Sequence, residues 1–175
     1  MRIERIEEMR LTPAIEAEIA DLLVAAFGED FGGRSFHKQR HHLRLIARDG
    51  TRMVSHMALC YRAIRLGGDL HDMVGLAEVS TAPDRRGEGI AACLLGRAIE
   101  EARESTAPFF ALFGVAGLYA GHGFRTVHNP LRWVGMDDAR TSRIFAREAE
   151  DLMILELRDV PWDEGVEVDL LGPLF

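Results

Sequence analysis

Val79-Ser80-Thr81-Ala82-Pro83-Asp84-Arg85-Arg86-Gly87-Glu88-Gly89-Ile90-Ala91 is the stretch on which the reading of this chain turns. Hydroxylated and β-branched residues run into a proline, two glycines follow one residue apart, and an apolar pattern of helical period begins at Ile90. The order predicts a strand, a loop and the start of a helix. The first turn of a helix leaves N–H groups without partners at the positive end of the helix dipole, which makes an anion site. Glycines there let a phosphate approach the backbone closely. The second half of a Gly-x-Gly-x-x-Gly fingerprint is missing, and no Lys-Ser/Thr follows the glycines as in a Walker loop. What remains is Arg86-x-x-Gly89-x-Ala91 behind a strand that ends in Pro83.

Outward from that stretch the chain reads as alternating elements. Residues 2 to 8 fit a short edge strand. Thr12-Pro13 predicts a helix with a hydroxyl N-cap and proline at the first helical position, and Ile15, Ile19, Leu22, Leu23, Ala26 and Phe27 form its apolar stripe up to Gly28. Residues 29 to 36 are a loop of carboxylates and aromatics, either solvated or in contact with substrate. Asp49-Gly50 and Gly67-Gly68-Asp69 separate apolar runs at 43–47, 53–66 and 70–81, an antiparallel meander. Ile90, Leu94, Leu95, Ala98 and Ile99 mark a helix ending near Glu104. The apolar run 108–113 reads as a central strand reached by a helical crossover. A brief helix over 115–121, a strand over 124–134, an irregular Arg- and Asp-rich connection, a last strand over 152–157 and a tail from Pro161 complete the chain. The sum is an α/β fold, a mixed sheet with helices on its faces.

Composition narrows the function classes. At 175 residues the chain suits one domain with a full core. A formal net charge of −7 argues against binding a nucleic-acid backbone and fits a small cationic partner. No window approaches the roughly 20 apolar residues of a membrane span, and the first eight residues lack a signal-peptide core. A cytoplasmic protein is expected. Cys60 and Cys93 sit in apolar patterns without CxxC spacing and read as buried thiols. The histidines, including adjacent His41 and His42, show no HExxH or Cys/His ligand spacing, so no metal site is expected. Lys38 is the only lysine beside twenty arginines, a skew that reads as base composition rather than a site.

The loop 86–91 behind Pro83 resembles the pyrophosphate loop of the GNAT acyl-CoA N-acyltransferases. Leu118-Tyr119-Ala120-Gly121-His122-Gly123-Phe124 is similar to the Leu-Tyr-x-x-x-Gly-Phe element of the same superfamily. The resemblance implies a single GNAT domain over residues 1–175. It also implies a mixed sheet of six to seven strands, splayed at its centre, with helices on both faces. It implies acetyl-CoA as co-substrate and no metal. By carry-over, the backbone of Val79, Ser80 and Thr81 would pair with the pantetheine. The amides of Arg86, Gly87, Glu88, Gly89, Ile90 and Ala91 would hold the pyrophosphate, and Tyr119 would donate to the departing thiolate. Amine acylation also needs a proton acceptor. Glu78 is the candidate, but it lies five residues before Pro83, where the family often places its carboxylate six before, at the position of Ala77. Side chains alternate along a strand, so Glu78 points the other way unless a bulge intervenes. It reads as the base or as half of a structural ion pair.

Three shorter stretches, 26–31, 54–59 and the tail with Trp162, resemble aminoglycoside 2'-N-acetyltransferases. The His56-Met57 stretch and the Gly-x-Gly-Ile-Ala loop are also similar to rhizobial nodulation N-acyltransferases. Both relatives acylate amines on sugars. Glu29, Asp30 and the terminal carboxylate of Phe175 would then bind substrate ammonium groups. The expected activity is acetyl transfer from acetyl-CoA to an amino-sugar or aminoglycoside by direct attack in a ternary complex, a step of antibiotic resistance. Another small amine, a protein amine, and a non-catalytic acyl-CoA sensor are the alternatives, and a homodimer stays open.

Overall fold

The computed structural model of the chain describes residues 1–114, 117–137 and 139–175, with the side chains of all of these except Glu29 and Asp30. In chain order the elements are β1 (Arg2–Glu7), α1 (Pro13–Phe27), β2 (Leu43–Asp49), β3 (Arg52–Leu66), β4 (Asp69–Thr81), α2 (Ile90–Glu104), β5 (Phe109–Phe113), α3 (Gly117–Ala120), β6 (Arg125–Thr126), β7 (Pro130–Asp137), β8 (Arg140–Glu148), β9 (Leu152–Glu156) and β10 (Val168–Asp169). The mixed α/β architecture is as expected. The strands number ten rather than six or seven among the described residues, two of them only two residues long. The chain gathers into two compact units, Met1–Cys60 with Ala77–Glu100 and Tyr61–Leu76 with Glu101–Phe175.

In the first unit β1 pairs antiparallel with β2, and β2 antiparallel with β3. Helix α1 starts where its sequence requires: the Thr12 hydroxyl accepts from the Ile15 N–H at 3.3 Å, Pro13 follows, and Gly28 at φ 76° ends it. Its stripe, Ile15, Ile19, Leu22 and Leu23, packs with Ile46, Met53 and Phe31. Burying such side chains removes them from water at roughly 1.5–3 kcal/mol each, enough to seat the helix.

The strand order in the second unit is β6-β9-β5-β4-β3-β10-β7-β8. The pairing of β5 is parallel to β4, Met73–Leu76 against Phe109–Leu112, and antiparallel to β9, so the apolar run 108–113 is a central strand as read. β4 continues five residues past its last partner on β5, to Thr81. The core here centres on Phe109, Trp133, Trp162 and Ile154.

Three readings need correction. The expected strand 124–134 is two strands, β6 and β7, because Val127 and Asn129 turn inward between them; Asn129 binds the Asp163 and Val166 carbonyls and the Trp162 indole. The connection read as irregular contains β8, a nine-residue strand hairpinned to β7. Only Cys60 is buried; Cys93 is exposed on α2, one position before the inward-facing Leu94 and Leu95. Of the helix expected over 115–121, Gly117–Ala120 is helical, while Val115 and Ala116 lie outside the described residues.

Candidate functional site

The loop after β4 has the geometry its glycines suggested. Gly87 and Gly89 adopt φ 83° and 76°, the left-handed region where other residues are strained, and a Cβ on either would meet nothing within 4 Å. The backbone therefore faces open space. The Cys93 N–H to Gly89 carbonyl bond, 3.0 Å, opens the helical ladder, so the amides of Ile90, Ala91 and Ala92 precede it as orphan donors. Nearby charges are mostly spent on each other. Arg85 contacts Glu88 and Asp49, and Arg52 is bidentate to Asp84 at 2.7 Å. Arg86 is exposed and, among the described residues, makes only a 3.5 Å contact to the Ala26 carbonyl. A guanidinium so lightly held suits an incoming anion.

The strand leading into the loop is anchored to β3. Ala82 N–H donates to Val54 O at 2.9 Å, and the Ser55 hydroxyl donates to Ser80 O at 2.7 Å and lies 3.0 Å from the Thr81 hydroxyl. Ser80 Oγ is buried without a partner among the described residues. Val79 is half-buried.

Glu78 has φ 54°, a left-handed backbone that costs a residue with a Cβ about 1–2 kcal/mol and breaks the strand's alternation. Its side chain, 5% exposed, accepts from Arg44 Nη1 at 2.7 Å and from the His37 N–H at 2.8 Å. His41 Nε2 comes to 2.9 Å of Oε1 but off the hydrogen-bonding axis, so that contact is electrostatic, and His41 Nδ1 has no partner among the described residues. Arg44, fully buried, also grips Glu8 at 2.6 and 3.1 Å and donates to Ser35 O at 3.0 Å. Burial alone would raise the Glu78 carboxyl; His41 and Arg44 outweigh it and hold the group at about 2.

His56 completes the cluster from β3. Its neighbours dictate a neutral tautomer: Nδ1 donates to Glu78 O at 3.1 Å and Nε2 accepts from Arg44 at 3.3 Å. A second proton would set two cations side by side in a buried place. Burial and the Arg44 charge push His56 down to about 3. The sequence reading weighed these histidines as metal ligands, and His56 as part of a family-like stretch, but not as an ion-pair cluster, and Arg44 and Glu8 were missed. The available signal was an arginine at every fourth position, Arg44 and Arg48, in an apolar strand, matched by Glu4 and Glu8 in the first segment.

In the second unit Tyr119 lies on α3 with its ring over Gly114, where a Cβ would come to 3.1 Å, and edge-on to Phe124 at 6.2 Å. Its hydroxyl has no hydrogen-bond partner among the described residues, and burial pushes the phenol above its ordinary 10. The Phe175 ring packs on Phe113 at 5.1 Å, beneath Arg62 at 5.9 Å. Tyr119 and Phe175 thus meet consecutive residues, Gly114 and Phe113, at the end of β5. Glu29 and Asp30 have their backbone in the short helical turn Gly28–Phe31, and their side chains lie outside the description.

Among the described residues no three His, Cys, Asp or Glu side chains converge as a metal group, and no helix is long and apolar enough to cross a membrane. A GNAT family acetyltransferase from Brucella melitensis, solved with acetyl-CoA, is similar at 27% identity over 71% of this chain and 84% of that one, TM-score 0.55. The GNAT family N-acetyltransferase YhbS of Escherichia coli, solved with CoA, shares the fold at 18% identity over 97% and 89%, TM-score 0.64. A GCN5-related N-acetyltransferase from Kribbella flavida shares it at 20% identity, TM-score 0.56, over 74% of this chain, which spans 34% of that longer protein. No curated protein matches. The family model described as the acetyltransferase (GNAT) domain matches residues 9–127, which takes in α1, the glycine loop and Tyr119. With more than half its length so matched, the chain belongs to the GNAT acetyltransferase family.

Proposed function

We propose that the chain moves an acetyl group from acetyl-CoA to the amine of a small cationic acceptor, an amino-sugar or aminoglycoside first among them. The observation that carries the donor half is the loop at Gly87 and Gly89, two left-handed glycines facing open space ahead of the α2 amides. In this reading those amides and Arg86 take the pyrophosphate, and the backbone of Val79 to Thr81 takes the pantetheine. The neutral amine attacks the thioester carbonyl, the C–S bond breaks, and the amine's proton leaves to water. Tyr119 donates a hydrogen bond to the thiolate. Its raised pKa keeps the phenol protonated, and full proton transfer to a thiolate with an ordinary pKa near 8.5 is uphill by about 2 kcal/mol or more, so the donor role is hydrogen bonding. The net charge of −7 and Glu29-Asp30 support a cationic acceptor. A cytoplasmic setting belongs to the same proposal.

For Glu78 the ion-pair role has the better support. A carboxylate held at about 2 is a weak proton sink, whereas its bonds to Arg44 and the His37 N–H fix the reversed backbone from which Val79 to Thr81 run. The test is thiol release from acetyl-CoA across an aminoglycoside panel, with Tyr119→Phe and Glu78→Gln beside the parent chain. Turnover on at least one aminoglycoside is expected. Tyr119→Phe should lower kcat by roughly 10- to 100-fold with CoA affinity little changed. Glu78→Gln should weaken CoA binding while the acidic limb of the pH-rate profile persists. Silence across the panel with CoA still bound would overturn the acceptor, and loss of that limb would restore Glu78 as the base.

A further inference from the structure

Between Glu78 and Ala82, β4 is held to β3 by side chains as well as by backbone. The Glu78 carbonyl accepts from His56 Nδ1 at 3.1 Å, and the Ser80 carbonyl accepts from the Ser55 hydroxyl at 2.7 Å. Ser55 has one proton to give, so across 3.0 Å the Thr81 hydroxyl is the donor and Ser55 Oγ the acceptor. Ser55 and His56 are both fully buried, and each is spent on a carbonyl of the same neighbouring strand. At Glu78 such a partner is needed, because a φ of 54° turns its peptide out of the regular alternation of the strand.

A trans peptide unit is planar, with its C=O and N–H pointing opposite ways. A carbonyl held on one side therefore aims the next residue's N–H to the other. His56 on the Glu78 carbonyl turns the Val79 N–H away from β3, and Ser55 on the Ser80 carbonyl does the same for the Thr81 N–H. The Ala82 N–H, given to Val54 O at 2.9 Å, turns the Thr81 carbonyl away as well. Two donors and an acceptor at alternate residues are thus directed to the side on which β4 has no strand partner past Leu76 among the described residues. Val79 and Thr81 are half-buried, whereas Ser80 is 3% exposed. An extended chain of amides can add to such an edge as a strand would.

We propose that Ser55 and His56 are positioning residues for acetyl-CoA, which act through the Ser80 and Glu78 carbonyls to aim Val79 and Thr81 at the amides of the pantetheine. The inference rests on the donor reading given above. It also narrows that reading, since the Ser80 carbonyl is spent on β3.

Isothermal titration needs no acceptor and separates the two halves of the co-substrate. CoA is compared with 3'-phospho-ADP, a fragment that keeps the pyrophosphate and lacks the pantetheine. Ser55→Ala and His56→Leu should each raise the Kd for CoA by roughly three- to tenfold, the worth of one hydrogen bond, and change that of the fragment by less than about twofold. His56→Gln, which keeps a donor, should recover the parent's affinity for CoA. Circular dichroism checks the fold, and if His56→Leu does not fold, Ser55→Ala decides alone. An unchanged CoA affinity in Ser55→Ala, or an equal loss for CoA and the fragment, would overturn the positioning role and leave a structural bond only. A parent chain that binds CoA no tighter than the fragment would instead overturn the pantetheine reading beneath it.

Discussion

His56 is a histidine that the fold keeps neutral, with one nitrogen donating to a carbonyl and the other accepting from an arginine. Its pKa falls from 6.5 to about 3 on folding, so between those values the unfolded chain binds a proton that the folded chain refuses. Stability from this site is complete above pH 6.5 and declines as pH falls, by up to about 1.4 kcal/mol per unit, until about 3. Glu78, depressed from 4.5 to about 2, adds a second loss confined to pH below 4.5. Urea melts at pH 7, 6, 5 and 4 should show the first decline, and His56→Gln, which can still donate and accept, should flatten it; an unchanged slope in the variant would assign the decline to other groups. This cluster was hardly legible in the sequence. Its members come from positions 8, 41, 44, 56 and 78, and only strand registers such as Ile46 opposite His56 bring them together. The glycine loop was legible because its parts are consecutive and its chemistry is carried by backbone.

Among the elements, those with punctuated ends and one apolar face were readable: α1 between its threonine cap and Gly28, and β2 to β4 between their turns. β8 was not, since Arg-Thr-Ser-Arg-Ile-Phe-Ala-Arg-Glu has no apolar alternation to mark a half-buried strand. Its place is set by packing on β7 instead. Phe145 stacks on Trp133 with ring centroids 5.3 Å apart, and Arg147 covers the indole at 5.4 Å. Gly135 makes room for this stack beside the register shift between Val134 and Met136; a Cβ there would lie 2.3 Å from the Phe145 ring and 2.5 Å from Ser142 Oγ. Gly135→Ala should therefore force the ring off Trp133 and cost about 1–3 kcal/mol. Calorimetry would read this as a Tm lowered by roughly 2–12 °C for a chain of this size. An unshifted Tm would mean that the stack moves aside freely.

On the scale of the whole molecule, the composition and the order of elements were enough for an α/β class, and two compact units were not foreseen. The division follows no linker. It cuts through β3, β4 and α2, so no Pro- or Gly-rich break announces it. Elements that continue through both units should make them unfold together. The tryptophans supply the means to check. Trp162 donates its indole N–H to Asn129 at 2.8 Å and meets Phe109 edge-on, and Trp133 lies under Phe145; both belong to the second unit. Intrinsic emission from this protein is thus a one-sided lamp, bright on Tyr61–Leu76 with Glu101–Phe175 and dark on the half that carries α1 and the Arg44 cluster. Far-ultraviolet circular dichroism, weighted by the two long helices, sees that dark half, and the two melting curves should coincide. A dichroism transition that precedes the emission change would reveal a first half that melts unseen by its own protein's fluorescence.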